Sequence, residues 1–337
     1  MRLAVVAALL LGAAACQQPA APVRVGRTVV LMGTTATFAA EAADRAAALA
    51  RLERMVRVVE ATEAELSTWR DDSALSELNR QPPGEPRSVP PPLCDLLGRL
   101  EGWREATAGA FDPAIGSLID AWGLRAAGRR PDAAALGAAR ARAGWPLLGF
   151  DREACTVIRL ADATLDAGAF GKGEALDGVR AAERDDPGAW LIDFGGQVAV
   201  SGGAAGTAWP VALAHPAHRD QPVAELQLAG GSLATSAASE RTFSLGSGDR
   251  IGHILDPRSG APVAWQASVA VWHPNAFTAD VLSTALYVMG PDAGLDWAAA
   301  RDFAACFIVP AAGSDRVTFL TTPAFEQRFP LQARGAL

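Results

Sequence analysis

NAFTADVLSTALYVMGP, residues Asn275 to Pro291, is the stretch around which the chain has to be organised. Asn275 is a suitable N-cap and Gly290 followed by Pro291 a standard stop, so the spacing predicts a helix over Phe277 to Met289. Phe277, Val281, Leu282, Leu286, Val288 and Met289 cover most of its circumference. The polar side chains Asp280, Ser283, Thr284 and Tyr287 fall at i, i+3, i+4 and i+7, one narrow stripe on an otherwise apolar helix. A carboxylate on such a helix needs a partner, because an unpaired buried charge is costly. The alternative is a solvent-facing stripe in which Asp280 and Thr284 are merely hydrated.

Around this helix the chain reads as short β-like runs punctuated by glycine: Thr28 to Met32, Val157 to Leu160, Trp190 to Phe194, Val198 to Ser201, Val211 to Ala214, Leu226 to Leu228 and Ser268 to Val271. Phe194-Gly195-Gly196 reads as a hairpin turn. Glu174 to Glu183 and Leu93 to Ala106 have helical patterns, and so does the Ala-rich segment Ala39 to Glu65, with Leu49, Leu52, Val56 and Val59 at helical spacing. Strands mixed with long helices argue for the α+β class. Gln81 to Pro92 is a Pro-rich break, and Arg125 to Ala143 reads as a surface excursion without chemistry.

The 337 residues are 50% hydrophobic, ample for a sizeable core. A formal net charge of −7 lacks the basic footprint of a nucleic-acid binder, so no nucleic-acid partner is expected. Arg2, the apolar run Leu3 to Leu11 and the small residues Gly12 to Ala15 read as an export signal too short to span a bilayer. Ala13-Ala14-Ala15-Cys16 resembles a bacterial lipobox, which implies a lipidated Cys16; the alternative is plain signal cleavage with Cys16 an incidental thiol. Either way the protein leaves the cytoplasm, and in the first case it is anchored to a membrane by its N-terminal lipid, facing the periplasm. Residues 1–15 are thus the expected signal, 16–26 a lipidated Cys and Pro- and Ala-rich tether, and 27–337 the folded body. Cys94, Cys155 and Cys306 show no metal-binding or CxxC spacing, and at most one disulfide fits their number.

Three segments carry candidate chemistry. Leu165-Asp166-Ala167-Gly168-Ala169-Phe170-Gly171-Lys172-Gly173 reads as a strand end, a glycine-rich turn and a helix start, where backbone N–H groups approach an anion such as a pyrophosphate. It is neither a Walker A loop nor a GxGxxG fingerprint, and such turns are often only tight connections. Lys172 is the only lysine in the chain. On the predicted helix, Asp280 and Thr284 offer two oxygens one turn apart; Mg²⁺ takes such oxygens, usually with only one or two carboxylates, and completes its shell with waters and substrate phosphates. Third, Gly252-His253-Ile254-Leu255-Asp256-Pro257-Arg258-Ser259-Gly260 ends an extended run in a turn, and His253 either moves a proton, binds a phosphate or is structural. Asp193-Phe194-Gly195 spells a kinase triplet without the loops that accompany it. The pair His215 and His218 lacks a defensible ligand spacing.

Taken in order, these and further segments resemble the FAD:protein FMN transferase (ApbE) family of exported bacterial lipoproteins. The resemblance runs from Met32-Gly33-Thr34 through Ser67-Thr68-Trp69-Arg70 with Ser73 and Leu78-Asn79, then Gly109-Ala110-Phe111-Asp112-Pro113 with Trp122-Gly123, and the glycine turn. It continues with Asp193 to Gly196, Ala234-Thr235-Ser236 with Glu240-Arg241, His253 to Gly260, and Ala279 to Ala285. It implies a T-fold-like arrangement of mixed sheets with packed helices in a single catalytic unit. It also implies Mg²⁺-dependent transfer of FMN from FAD to a Thr or Ser hydroxyl of an acceptor flavoprotein, with release of AMP.

Position by position, the resemblance implies flavin and adenine contacts from Met32, Trp69, Ala110, Phe111, Asp112, Asp166, Lys172, Leu255 and Ser283. It implies Mg²⁺ ligands at the Ala169 carbonyl, Asp280 and Thr284. His253 and Asp280 are the expected catalytic pair. Trp69 stands where a tyrosine is usual, keeping an aromatic face but losing a phenol, while Ala167 and Phe170 replace Leu and Ile beside the turn. Two alternatives keep the site: a Mg²⁺-dependent FAD pyrophosphatase using water, and a flavin-binding lipoprotein without turnover.

Overall fold

Alternation of side chains drives Val23–Leu31 (β1) and Thr34–Ala42 (β2) into an antiparallel pair, with Val25, Leu31, Ala36, Phe38 and Ala40 turned into the core. Six further strands continue the sheet: Trp190–Phe194 (β3), Gln197–Ser201 (β4), Gly230–Ala237 (β5), Ser268–His273 (β6), Ala304–Pro310 (β7) and Val317–Thr321 (β8). Each is antiparallel to its neighbour, so the sheet runs in plain chain order from β1 to β8, with everything else inserted between strands. The computed structural model describes residues 21–245, 250–311 and 313–331. The expected signal, Cys16 and the start of the tether lie outside the described residues. β1 begins ahead of Arg27, so Val23 to Gly26 belong to the sheet and not to a tether.

The helices Arg45–Leu66 (α1), Gly171–Ala182 (α3) and Ala276–Met289 (α4) cover one face of the sheet, α2 being Pro91–Ala106. Leu52, Met55, Val59, Leu176 and Val179 meet Phe38, Ile192 and Phe194 there, and Leu282 and Leu286 meet Val269, Val271 and Phe307. Ala270, Cys306 and Ile308 point the other way and are covered by the hairpin of Trp209–Ala214 and Pro222–Leu228 and by Phe325 and Phe329. The long Ala-rich helix starts later than its composition suggests. Ala39–Ala42 lie in β2, Ala39 and Ala40 paired with Leu191 and Trp190 of β3, and Asp44 caps α1 by accepting from the Ala47 N–H (2.8 Å). Alanine's helix preference is a weak prior that strand pairing overrides. α1 is tied to the end of α3 by Arg51, which is 1% exposed and donates to Glu183 (2.8 Å) and to the Glu41 carbonyl (3.1 Å).

Between α1 and α3 an insert of helices and a small sheet (Pro86–Ser88, Leu148–Asp151, Thr156–Arg159) builds a second core, in which Leu78, Leu93, Leu97, Leu100, Phe111 and Trp145 pack against Phe170, Phe277 and Val281. Helix α4 is therefore wedged between sheet and insert, which is why its sequence is apolar nearly all round. Inside the insert Cys94 of α2 is bonded to Cys155, and Cys306 remains a buried thiol. The bridge closes a loop of 61 residues, worth about 4 kcal/mol if its effect is mainly on the unfolded chain. Reduction, or replacement of both cysteines by serine, should lower the melting temperature by on the order of 10 °C for a chain of this size. A thermal melt insensitive to reductant would show that the bridge contributes nothing.

Candidate active site

The glycine turn brings two helices into backbone contact. Leu165 to Gly168 is irregular chain, not a strand end; the preceding strand has already closed at Arg159. Asp166 Oδ1 accepts from the Gly168 N–H (2.9 Å) and the Ala167 carbonyl from the Gly171 N–H (2.8 Å), which turns the chain into α3. At Gly173 this helix crosses α4 so closely that a Cβ would lie 2.5 Å from the Ala276 carbonyl oxygen, 2.6 Å from Phe277 Cα and 2.8 Å from Asp280 Cβ. As a result the Gly173 N–H donates to Asp280 Oδ2 (2.9 Å), and Lys172 Nζ sits 3.3 Å from Oδ1. The rings of Phe170 and Phe277, edge to face at 6.3 Å, brace the crossing. Asp177, one turn further along α3, accepts from the N–H groups of Ala276 and Phe277 at the start of α4.

The polar stripe of α4 is buried: Asp280 is 3% exposed, Ser283 and Tyr287 1% each. This removes the solvent-facing alternative. Ser283 Oγ donates to the Asp280 carbonyl (2.9 Å) and is hydrogen-bonded to Ser236 Oγ of β5 (2.8 Å). Thr284 is partly buried, and the Ala169 side chain packs on the cluster holding Phe277, Val281 and Ala285 of the same helix. A buried carboxylate, a threonine hydroxyl one turn along the same helix and a backbone carbonyl are all oxygen donors, the kind Mg²⁺ takes alongside water and phosphate.

A second charged group faces Asp280. Glu240, just before the strand Thr242–Ser244 that pairs with Arg250–Gly252, places Oε2 at 3.9 Å from His253 Nε2. Burial pushes the Glu240 carboxyl up to about 7, with Asp280 adding to the rise and Lys172 and Arg219 opposing it. Burial pushes His253 down to about 4, reinforced by the positive charge of Lys172. For Lys172 burial works against the charged form, but Asp280 and Glu240 outweigh it and hold the ammonium above its usual range.

The far wall is built by the insert. Arg125 donates to Asp166 Oδ2 (2.7 Å) and Thr68 Oγ1 (2.8 Å), and its guanidinium lies 5.6 Å from the ring centre of Trp69, which is 62% exposed. The segment from Arg125 onward is thus not without chemistry at its first residue, and it contains the helix Ala133–Arg140. Met32 occupies the β1–β2 turn at φ 47°, donates its N–H to Glu63 (2.9 Å), and reaches with Cε toward Gly171. Ala110 and Phe111 are core residues, and the Asp112 carboxylate is already taken by the N–H groups of Ala114 and Trp145. Leu255 packs with Trp122, Phe243 and Ile251. Lys172, Asp280, Glu240 and His253 are therefore brought together on one side and Asp166, Trp69 and Arg125 on another, while the side chains of Phe111, Asp112, Leu255 and Ser283 face protein. Glu240, Arg219 and Arg125 were not singled out from sequence; only Glu240 had a signal, its place beside Arg241 in a matched motif.

The ApbE family model matches residues 32–308. The chain is similar to a FAD:protein FMN transferase of Klebsiella pneumoniae, 31% identical over 237 residues and 67% of each chain, and to one of Salmonella typhimurium, 29% identical over 76% of this chain and 75% of the other. Its structure resembles the apo flavinyl transferase ApbE of Pseudomonas stutzeri with a TM-score of 0.79 at 27% identity, covering 91% of this chain and 97% of that one. For the flavin transferase ApbE of Vibrio cholerae the TM-score is 0.78 at 25% identity, covering 92% and 100%.

Proposed function

The chain belongs to the ApbE family, and from that premise and the geometry of its site we propose that it transfers the FMN half of FAD to a Thr or Ser hydroxyl of a partner flavoprotein, with Mg²⁺ bound and AMP released. The observation that carries this reading is the buried Asp280 carboxylate, held by the Gly173 N–H and Lys172 at the point where the glycine turn enters a helix. In this scheme the pyrophosphate of FAD lies beside the Gly168 to Gly173 turn, where Lys172 meets its negative charge, the N–H groups of Gly168, Gly171 and Gly173 being engaged within the protein. Mg²⁺ held by the Ala169 carbonyl, Asp280 and Thr284 would neutralise phosphate charge as a Lewis acid. Trp69, exposed on one face and backed by Arg125, offers a stacking surface for one of the rings of FAD. At Ala110 to Asp112 the contact falls to the backbone, because the Asp112 carboxylate is engaged. The acceptor hydroxyl attacks the phosphorus on the FMN side, with His253 close to the transferred proton or to the phosphate.

Export and a lipid anchor at Cys16 are part of the same reading. They are supported by the N-terminal apolar run and by the Cys94–Cys155 bridge, since disulfides persist in oxidising compartments. No helix among the described residues is long and apolar enough to cross a membrane, so attachment in this reading rests on Cys16; mass spectrometry of the mature N-terminus checks it. Transfer itself is tested by incubating the protein with FAD, Mg²⁺ and a flavoprotein acceptor. Flavin fluorescence that stays with the acceptor after denaturation, together with stoichiometric AMP, is the expected result. FMN and AMP released free would indicate hydrolysis, and intact FAD would indicate binding alone.

A further inference from the structure

The N-terminal tether and the candidate active site meet the large sheet at opposite ends. Val23 pairs with Ala42, Ala40 with Trp190, Trp190 with Ser201, Ser201 with Gly230, Ser232 with His273 and Trp272 with Ala304, one line of residues across one end. The Met32–Gly33 turn, the Gly195–Gly196 turn and Glu240, just after β5, lie at the other. The nine residues of β1, at about 3.4 Å each, put about 30 Å between the two ends. From Cys16 to Val23 the chain can span at most about 25 Å, even fully extended. With a lipid on Cys16, the Val23 end is therefore held beside the bilayer, and the site end cannot turn over to touch it.

At the Val23 end a cleft of about 770 Å³ is lined by Trp272, His273, Arg301, Asp302, Phe303 and Arg328. β8 closes opposite Cys306 at this same end, and the helix Pro323–Arg328 follows it. The guanidinium of Arg328 lies 3.4 Å from the ring centre of Trp272, and that of Arg301 lies 4.2 Å from Trp297, which is stacked on Phe303. Both arginines are exposed, and neither has an ion pair among the described residues. Asp302 is the one carboxylate lining the cleft. Nearby acids are already engaged: Glu41 accepts from Arg24 (2.8 Å), Glu183 from Arg51 (2.8 Å) and Asp186 from Arg54 (3.1 Å), while Glu326 is turned to the Thr321 hydroxyl. Exposed Asp185 stands next to Arg184 in the chain and adds no net charge. The cleft is thus left with two cations against one anion on an aromatic base. Tryptophan rings settle at the level of lipid headgroups, and arginines beside them meet lipid phosphates.

We propose that this end of the sheet rests on the membrane, with the headgroup of an anionic phospholipid in the cleft between Arg301 and Arg328, so that the candidate active site faces away from the bilayer. The proposal rests on the reading of Cys16 as a lipid anchor. The anchor keeps the protein near the surface, and the headgroup contact sets its orientation. An acceptor segment is then met about 30 Å above the bilayer, the length of the sheet, rather than at the lipid surface.

The test is hydrogen exchange on the anchored protein, purified from membranes and reconstituted on vesicles of phosphatidylcholine alone or mixed with phosphatidylglycerol. Amides of Arg301 to Ala304 and Ala324 to Arg328 should be protected only on the phosphatidylglycerol vesicles, and raised salt should remove the protection while the protein stays attached. Arg301→Gln and Arg328→Gln should each cut the ratio of protected to open form about fivefold. Transfer to a soluble acceptor in detergent, without vesicles, should stay at the wild-type rate in both. Equal exchange on the two kinds of vesicle overturns the proposal even if a variant does not fold. So does protection that falls on Met32 and Gly195 instead, or a variant carrying both substitutions that is protected like wild type. Inorganic phosphate giving the same protection on phosphatidylcholine vesicles would show a site for a free anion and also overturns it. Failure of the anchor reading looks different: Cys16 then has no lipid mass, and the protein does not stay with phosphatidylcholine vesicles at all, which removes the tether geometry and the proposal with it.

Discussion

Asp280→Ala is expected to lower Mg²⁺-dependent transfer by roughly 10³-fold or more, because charge neutralisation at a phosphate supplies several kcal/mol and each 1.4 kcal/mol is about tenfold. The same carboxylate accepts from the Gly173 N–H and faces Lys172. Removing it therefore leaves a buried donor and an ammonium unpaired, at a cost of about 1–3 kcal/mol that should show as a lower melting temperature with the fold retained. Asp280→Asn separates the two effects. The amide oxygen still accepts from Gly173, but the NH₂ group then faces the Lys172 ammonium, so stability should fall less than in Asp280→Ala while activity and Mg²⁺ dependence are lost. Full activity in either variant would sink the metal-site reading, whatever the acceptor protein turns out to be.

Gly173→Ala should damage both stability and activity by adding one methyl group. The new Cβ would meet the Ala276 carbonyl oxygen at 2.5 Å and Phe277 Cα at 2.6 Å, backbone atoms that cannot rotate away. The two helices must part, which costs about 1–3 kcal/mol or more. Parting them also moves Lys172 and the glycine turn relative to Asp280, and a shift of about 1 Å in a catalytic constellation is worth around 10²-fold. Gly137→Ala is the control: it sits in the surface helix Ala133–Arg140 with open space at its Cβ position, and it should be neutral or stabilising by up to about 1 kcal/mol. Melting curves and transfer rates of the two variants decide the point. Equal melting temperatures for Gly173→Ala and wild type would show that the crossing yields more easily than its contacts allow.

Several elements were legible before any coordinates. The Asn275 cap donates no surprise: its side chain accepts from the Thr278 N–H as the sequence pattern requires. Trp190–Phe194 forms a strand over its expected bounds, and Gly195 and Gly196, both at positive φ, make the hairpin turn that follows. Gly290 does end α4, but Pro291 also opens the next helix, Pro291–Ala299, since proline fits a first turn where its missing N–H is not needed. Other readings failed where pairing with a distant segment overruled local preference: Ala39–Ala42 became strand, and Val23 to Gly26 joined the sheet edge.

From the residues alone came several of the strands and helices in their order, the cap and stop of α4, the polar stripe along it, the glycine turn and the chain of motifs shared with one family, because periodicity and turn chemistry act over a few neighbouring residues. What only the tertiary structure decided is the direction in which the stripe faces, the choice of Cys94 and Cys155 as partners, and the meeting of Lys172 with Asp280, 108 positions apart in the chain. Arg125 beside Asp166 and Glu240 opposite His253 are of the same kind. Such contacts depend on how the insert and the sheet are packed on the two sides of α4, and no local pattern encodes that.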